Sequence, residues 1–118
     1  MITLYGISNC DTIRKARRWL KDAGIEYHFH DYRKEGIDES MLQHWIEQLD
    51  WEQLVNKRGT TWRQLPEDIK SSVDAGQALK LMLEQPAMIK RPLLDLGDKP
   101  VLGFSPSLYS SLFSKRTF

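Results

Sequence analysis

Cysteine occurs once in the chain, and this scarcity limits what the protein can do. One cysteine cannot form a disulfide within the chain, so Cys10 is not a structural cross-link. Cys10 is either a small buried apolar side chain or a chemical reagent. Because no second thiol is present, any resolving thiol in a redox reaction would come from another molecule.

Long apolar runs and an excess of charge of one sign are also absent. No stretch approaches the roughly 18 apolar residues that a membrane helix needs, and the first residues lack the charged and apolar regions of a signal peptide. The formal net charge is +1, which gives no basic field for nucleic acid. We therefore expect a cytoplasmic protein that binds no membrane and does not bind nucleic acid directly.

The composition is that of a folded domain. Of the 118 residues, 41% are hydrophobic and 28% are charged, as in ordinary globular proteins. A chain of this length can bury a core without cross-links. No linker or repeat divides it, so we predict a single domain over residues 1–118.

The first third of the chain has the pattern of a strand followed by a helix. Residues 2–6 are apolar and end at Gly6, which predicts a strand. From Asp11 the apolar period becomes helical, and Gly24 ends the helix. The apolar residues on one face of this helix are Ile13, Ala16, Leu20 and Ala23.

Alternation over residues 26–32 predicts a second strand, which should be parallel to the first. His28 and His30 share one face of this strand, where two imidazoles could bind a metal. No cysteine or carboxylate stands at a matching ligand spacing, so we predict no metal site.

The centre of the chain is predicted to be helical. Asp38, Asp50 and Asp74 are each placed to cap a helix, and Asp50 begins a capping box. Residues 57–64 are polar and contain glycine, which predicts a loop. These elements form a helical insertion over about residues 38–86.

A hairpin and a helix complete the chain. Residues 93–96 and 101–104 predict two antiparallel strands, and Ser105 is placed to cap a final helix that begins at Pro106. The order is β-α-β, a helical insertion, then β-β-α. We therefore predict an α/β protein with a thioredoxin-like fold and a mixed four-stranded sheet.

Cys10 precedes the first predicted helix, which is a favourable position for a reactive thiol. Backbone N–H groups at a helix start have no partners within the helix, and the helix dipole adds partial positive charge there. Both effects favour the nucleophilic thiolate, and the hydroxyl of Thr12 could donate to the sulfur. Asp11 opposes this by like-charge repulsion. Asn9 and Asp11 indicate an exposed turn, which favours a functional thiol over a buried one.

Arg91 is the second candidate functional residue. It precedes Pro92 at the start of a predicted strand, and in a thioredoxin-like fold this point lies beside the nucleophile. A guanidinium there is suited to binding a carboxylate or an oxyanion. The alternative is a surface arginine without a role.

Three segments carry a family pattern. They are residues 4–12 around Cys10, residues 56–63 with Arg58, and residues 89–94 with Arg91. Together they resemble the ArsC (arsenate reductase-like) family, in the branch that contains YffB and the Spx regulators. The resemblance extends over essentially the whole chain.

The resemblance implies a thioredoxin-like fold with a helical insertion and a nucleophilic Cys10. It also implies glutathione as co-substrate and glutaredoxin as a partner, with no bound cofactor. We predict three catalytic residues and four residues that bind substrate or glutathione. The catalytic residues are Cys10, Thr12 and Arg91, and the binding residues are Asn9, Arg58, Arg91 and Pro92.

One departure from the family concerns arsenate. In arsenate reductases of this kind, arginines surround the oxyanion, and two of them match Arg58 and Arg91. A third is expected within residues 102–105, where this chain has no arginine. A dianion beside a thiolate requires several cations, so arsenate is expected to be a poor substrate.

The predicted function is a glutathione-dependent thiol oxidoreductase with a single nucleophilic cysteine, and three alternatives remain. A true arsenate reductase is the first. The second is an Spx-like regulator that docks on RNA polymerase. Redox-switching regulators of that kind carry Cys-x-x-Cys, and Ile13 replaces the second cysteine here, which excludes an internal disulfide switch. The third is a binding module with an inert cysteine.

Overall fold

A computed structural model describes residues 2–8, 10–97 and 99–114 of the chain. Its strands form one sheet in the order β2-β1-β3-β4. Strand β2 is parallel to β1, whereas β3 is antiparallel to both β1 and β4. The fold class is therefore confirmed as α/β with a mixed, thioredoxin-like sheet. The strands are β1 (Thr3–Gly6), β2 (His28–Asp31), β3 (Leu93–Asp95) and β4 (Pro100–Leu102).

Helix α1 (Asp11–Asp22) connects β1 to β2, and α8 (Pro106–Ser114) follows β4. The remaining helices lie between β2 and β3. Among the described residues, no helix is long and apolar enough to cross a bilayer. The inserted helices are α2 (Tyr32–Glu35), α3 (Glu39–Leu49), α4 (Trp51–Leu54), α5 (Thr60–Arg63), α6 (Glu67–Ser72), α7 (Ala75–Glu84) and a 3-10 turn (Pro86–Met88).

Side-chain alternation along the strands gives the sheet an apolar core on each face. Leu4 and Leu94 are fully buried in a cluster with side chains of α1 and α8. Leu93 points the other way, into a cluster formed mainly by the inserted helices, including Trp45 of α3 and Met82 of α7. Each fully buried leucine stabilises the fold by roughly 1.5–3 kcal/mol. The two clusters hold α1 and the insertion against opposite faces of the sheet.

Gly6 allows α1 to approach β1 closely. A Cβ atom at this position would overlap Cδ1 of Ile13, which is fully buried in the first turn of α1. Any larger residue would push that turn away from the strand. Because the turn begins next to Cys10, Gly6 fixes the position of the segment that carries the thiol.

Two predicted boundaries near β2 were wrong. The strand is shorter than residues 26–32, and Tyr32 begins the one-turn helix α2 instead. The cause is the Asp31 side chain, which accepts the backbone N–H of Arg33 at 2.9 Å and caps that helix. Ala23, predicted on the apolar face of α1, lies just beyond the end of this helix and is exposed. The chain turns away at the next residue, Gly24, which has a positive φ of 71°.

Two of the three helix caps predicted in the insertion are confirmed. The side chains of Asp38 and Asp74 accept backbone N–H groups at 3.0 and 2.9 Å and cap α3 and α7. Asp50 precedes α4 but makes no capping hydrogen bond through its side chain, and its φ is 71°. The predicted capping box is therefore wrong, although the short helix is present.

The loop predicted over residues 57–64 contains the one-turn helix α5. Trp62 lies in this turn and is only 8% exposed, packed in the same cluster as the inserted helices. Burial of a large aromatic side chain holds the turn against the core. The prediction that Trp62 is a core residue without a functional role is confirmed in its burial, whereas the polar composition of the segment did not predict the helical turn.

Candidate active site

Cys10 occupies the N-cap position of α1. Its backbone is extended, with φ −88° and ψ 130°, and its carbonyl accepts the N–H of Arg14 at 3.1 Å. Its own N–H donates to the carbonyl of Ile7 at 3.1 Å. The side chain is half-buried and makes no capping hydrogen bond. The sulfur therefore stands at the helix terminus without being used to hold the helix.

The charge of Asp11 next to the thiol is partly countered. Nη1 of Arg14 lies 2.9 Å from Oδ1 of Asp11, one turn along the exposed side of α1. Pairs at this spacing face each other on a helix. The repulsion expected between Asp11 and a thiolate at Cys10 is reduced accordingly.

A cleft of about 310 Å³ opens beside Cys10. It joins the start of α1 to the segment that precedes β3, so the three predicted catalytic residues lie together. Lys90 and Arg91 place two cationic side chains in the same cleft, which favours an anionic ligand. The lining residues are Cys10, Thr12, Asn56, Lys90, Arg91 and Gly103.

Arg91 is held in place by backbone carbonyls. Its Nη1 donates to the carbonyl of Ala87 at 2.8 Å and to that of Ile89 at 3.4 Å. Among the described residues, its Nε is buried without a hydrogen-bond partner. A guanidinium has five N–H donors, so the two hydrogen bonds of Nη1 do not use all of them.

Pro92 follows Arg91 and is hydrogen-bonded to Gly103, which lines the cleft. The Arg91–Pro92 peptide bond is cis, and Pro92 is buried and is not among the residues that line the cleft. Its carbonyl accepts the N–H of Gly103 at 3.0 Å. Gly103 lines the cleft without a side chain, within the segment where the family resemblance predicts an arginine.

Arg58 lies in a neighbouring cleft of about 360 Å³, which shares Asn56 and Lys90 with the first. Backbone pairing joins the two clefts, because Asn56 N–H donates to Met88 at 2.8 Å and Lys90 N–H donates to Leu54 at 2.7 Å. The structure therefore places Arg58 next to the cleft of Cys10 but not inside it. Asn9, also predicted to bind substrate, lies outside the described residues.

Lys90 and Asn56 are cleft residues that the sequence did not single out. Each is positioned by the bridge between Val55 and Ile89, which pairs the end of α4 with the segment before β3. This pairing joins residues that are far apart in sequence. Only the position of Lys90 next to Arg91 could have drawn attention to it.

Asp31 supports the loop that carries Cys10. It is the one charged side chain of the described residues that is buried, at 4% exposure. Burial alone would raise the pKa of Asp31. The N–H of Arg33, together with the hydroxyl and N–H of Ser8, hydrogen-bond the carboxylate and lower its pKa overall. Because Ser8 is two residues from Cys10, the carboxylate ties the end of β2 to the loop between β1 and α1.

We expect Asp31→Asn to lower the free energy of unfolding at pH 7 by about 1–2 kcal/mol, because an amide replaces a charged acceptor of several hydrogen bonds. The lowered pKa means that the charged side chain stabilises the fold above the ordinary value of 3.8. This stabilisation is lost as pH falls through the folded-state pKa. Urea denaturation at pH 7 and below pH 3.8 should show a smaller difference between variant and wild type at the lower pH.

The control for this prediction is Asp74→Asn. Asp74 is exposed and caps α7 through one hydrogen bond, a role that asparagine also fills. Its variant should match the wild type within experimental error. If the effect of Asp31→Asn does not change with pH, the charge of Asp31 is not what supports the loop.

Known proteins similar to this chain match it over nearly its whole length. The model of the ArsC family matches residues 5–112. The chain is 46% identical over 114 residues to an uncharacterized protein of Haemophilus influenzae, an alignment that covers 97% of this chain and 100% of the relative.

Two of the solved structures that are similar to this chain cover nearly all of it. One is a YffB protein, with 45% identity and a TM-score of 0.89, covering 94% of this chain and 97% of that one. The other is an arsenate reductase (ArsC) related protein from Brucella melitensis, with 54% identity and a TM-score of 0.80, covering 95% and 93% of the two chains. At lower identity, 28% over 120 aligned positions, the chain is similar to the regulatory protein MgsR of Bacillus subtilis, covering 98% of this chain and 93% of that protein.

Proposed function

Because this chain belongs to the ArsC family, we propose that it is a thiol oxidoreductase with Cys10 as nucleophile and glutathione as co-substrate. The observation that carries this proposal is the cleft in which Cys10, Thr12 and Arg91 meet. A half-buried thiol at a helix start, beside two cationic side chains, suits attack on an anionic disulfide. The similarity to an arsenate reductase related protein supports thiol-based reduction as the class of reaction.

The proposed reaction is thiol–disulfide exchange. The thiolate of Cys10 attacks the glutathionyl sulfur of a mixed disulfide, forms a new S–S bond with glutathione and releases the other thiolate, which takes up a proton. A second glutathione thiolate then attacks the glutathionyl sulfur on Cys10. The products are oxidised glutathione and the regenerated Cys10 thiolate. The external thiol is required because the chain has one cysteine.

The other residues of the cleft bind and orient in this proposal. The N-terminus of α1 and the hydroxyl of Thr12 stabilise negative charge on the sulfur. Arg91 holds a glutathione carboxylate through paired N–H donors, and Lys90 adds a second cation. Glutathione has two carboxylates, and Arg58 in the adjoining cleft is available to the second.

The proposal includes glutaredoxin as a partner and a cytoplasmic location, where glutathione keeps thiols reduced. The experiment that tests it is mass spectrometry of the intact protein after exposure to oxidised glutathione. We expect one glutathione per chain, located on the peptide with Cys10, and its removal by reduced glutathione with glutaredoxin. If no adduct forms, the proposed function is wrong.

Arsenate should be a poor substrate. Lys90 and Arg91 are the cationic side chains among the described residues that line the cleft, because Arg58 faces the neighbouring one and Gly103 has no side chain. A bound dianion needs more compensation than this beside a thiolate. A coupled assay with glutathione and glutaredoxin should show slow arsenate turnover and faster reduction of a glutathione mixed disulfide. Turnover equal to that of a dedicated arsenate reductase would contradict this prediction.

A regulator is the second candidate function, favoured by the similarity to MgsR over nearly the whole chain. Such a protein would act by docking on RNA polymerase and would need no turnover. Ile13 stands where a Cys-x-x-Cys pair would have its second cysteine, and it is fully buried. Binding of purified RNA polymerase by both wild type and Cys10→Ser, without disulfide reduction by either, would favour the regulator.

A further inference from the structure

His28, His30 and Glu35 form a cluster at the edge of the sheet, away from the residues that line the cleft of Cys10. Strand β2 is an edge strand, and alternate residues of a strand share a face. Helix α2 follows β2 directly and brings Glu35 to the same two histidines. Nε2 of His28 lies 3.7 Å from Oε1 of Glu35, and Nδ1 of His30 lies 3.9 Å from Oε2.

The hydrogen bonds of His30 determine which of its nitrogens faces Glu35 with a lone pair. Nε2 lies 2.8 Å from the carbonyl oxygen of Gly36. A carbonyl only accepts, so Nε2 carries the proton and Nδ1 of the neutral ring presents its lone pair to Glu35. A ring nitrogen that donates to a backbone carbonyl is the usual support of a metal-bound histidine.

Glu35 and His30 are both fixed in place by further contacts. Oε2 of Glu35 accepts the N–H of Asp31 at 3.1 Å. The ring of His30 lies 4.9 Å from that of Tyr5 on the neighbouring strand, and its side chain is only 20% exposed. A carboxylate oxygen and an imidazole lone pair facing each other repel, unless a cation lies between them or the ring is protonated.

We propose that His28, His30 and Glu35 bind a divalent transition-metal cation of the zinc class. Ligand atoms from the three residues lie within 4.8 Å of one another. Two imidazoles with one carboxylate form a donor set that binds zinc in preference to magnesium or calcium. Bonds of about 2.0–2.2 Å require the ligands to move closer together. The exposed side chain of His28 allows this by rotation, while Glu35 and His30 keep their hydrogen bonds. Three protein ligands leave a coordination position for water.

This site is separate from the cleft of Cys10 but is linked to it through Asp31. The N–H of Asp31 holds Glu35, while its carboxylate holds Ser8 in the loop before Cys10. A bound cation would therefore fix α2 against β2 next to the support of that loop. The sequence spacing did not indicate a carboxylate ligand, because Glu35 reaches the histidines only through the one-turn helix α2.

Calorimetric titration with Zn²⁺ tests the site, and Cys10→Ser is the parent protein because a thiol also binds zinc. We expect one zinc ion per chain. In that background, His30→Ala should weaken zinc binding by tenfold or more, since even the support of a ligand is worth about 10–100-fold in affinity. Glu35→Gln keeps an acceptor for the Asp31 N–H and should also weaken binding.

His44→Ala is the matched control, because His44 is exposed on α3 and is the third of the three histidines in the chain. It should bind zinc like the parent. If His30→Ala fails to fold by circular dichroism, His28→Ala takes its place, as that side chain is 55% exposed. No zinc binding by the parent, or equal binding by the parent and the ligand variants, would overturn the proposal.

Discussion

Cys10→Ser will reduce no glutathione mixed disulfide above the uncatalysed rate and will form no adduct with oxidised glutathione. A serine hydroxyl does not ionise at neutral pH and cannot form the S–S bond on which exchange depends. The measurement is reduction of a small glutathione mixed disulfide, followed as NADPH consumption by glutathione reductase. Mass spectrometry of the same protein reports the adduct directly.

Cys10→Ala separates the loss of the nucleophile from any effect on the helix. Cys10 occupies the N-cap of α1 without a side-chain hydrogen bond, whereas serine is a favoured N-cap residue. Both variants should be inactive, and the serine variant should be more stable than the alanine variant by about 0.5–2 kcal/mol. Wild-type activity in either variant would place the chemistry away from Cys10.

The fold class could be predicted from sequence because the signals that determine it are local. Ser105 illustrates this, since its hydroxyl accepts the N–H of Leu108 at 3.0 Å and caps α8 as its position before Pro106 predicted. The one-turn helices α2 and α5 were missed because tertiary contacts create them. Helix α2 depends on the capping carboxylate of Asp31, and α5 depends on burial of Trp62.

The residues of the candidate site also fall into a group that local sequence signals could predict and a group that depends on tertiary contacts. Cys10 and Thr12 are set by the boundary between β1 and α1, and Arg91 by the start of β3, so element order was enough to expect them near one another. Their chemical roles remain predictions. Lys90 and Asn56 could not be anticipated, because the pairing that brings them into the cleft joins Val55, just after α4, to Ile89 in the segment before β3.

The second large effect is expected on glutathione affinity, and it tests whether Arg91 binds glutathione or is only a surface arginine. Arg91→Lys will weaken glutathione binding by about tenfold to a hundredfold, because a hydrogen bond to a charged group contributes roughly 1.5–3 kcal/mol. The guanidinium of Arg91 is held by the carbonyls of Ala87 and Ile89. A lysine ammonium is a point charge that cannot both keep this anchor and offer a planar pair of donors.

Arg58→Lys is the matched control for Arg91→Lys, since Arg58 is exposed and lies in the adjoining cleft. Its effect on glutathione affinity should be the smaller of the two. Calorimetric titration with reduced glutathione in the Cys10→Ser background measures binding without exchange, and circular dichroism confirms that each variant is folded. Equal affinities for Arg91→Lys and its parent would make Arg91 only a support for the turn at residues 87–89. The carboxylate site would then have to be sought around Arg58 and the basic face of α1.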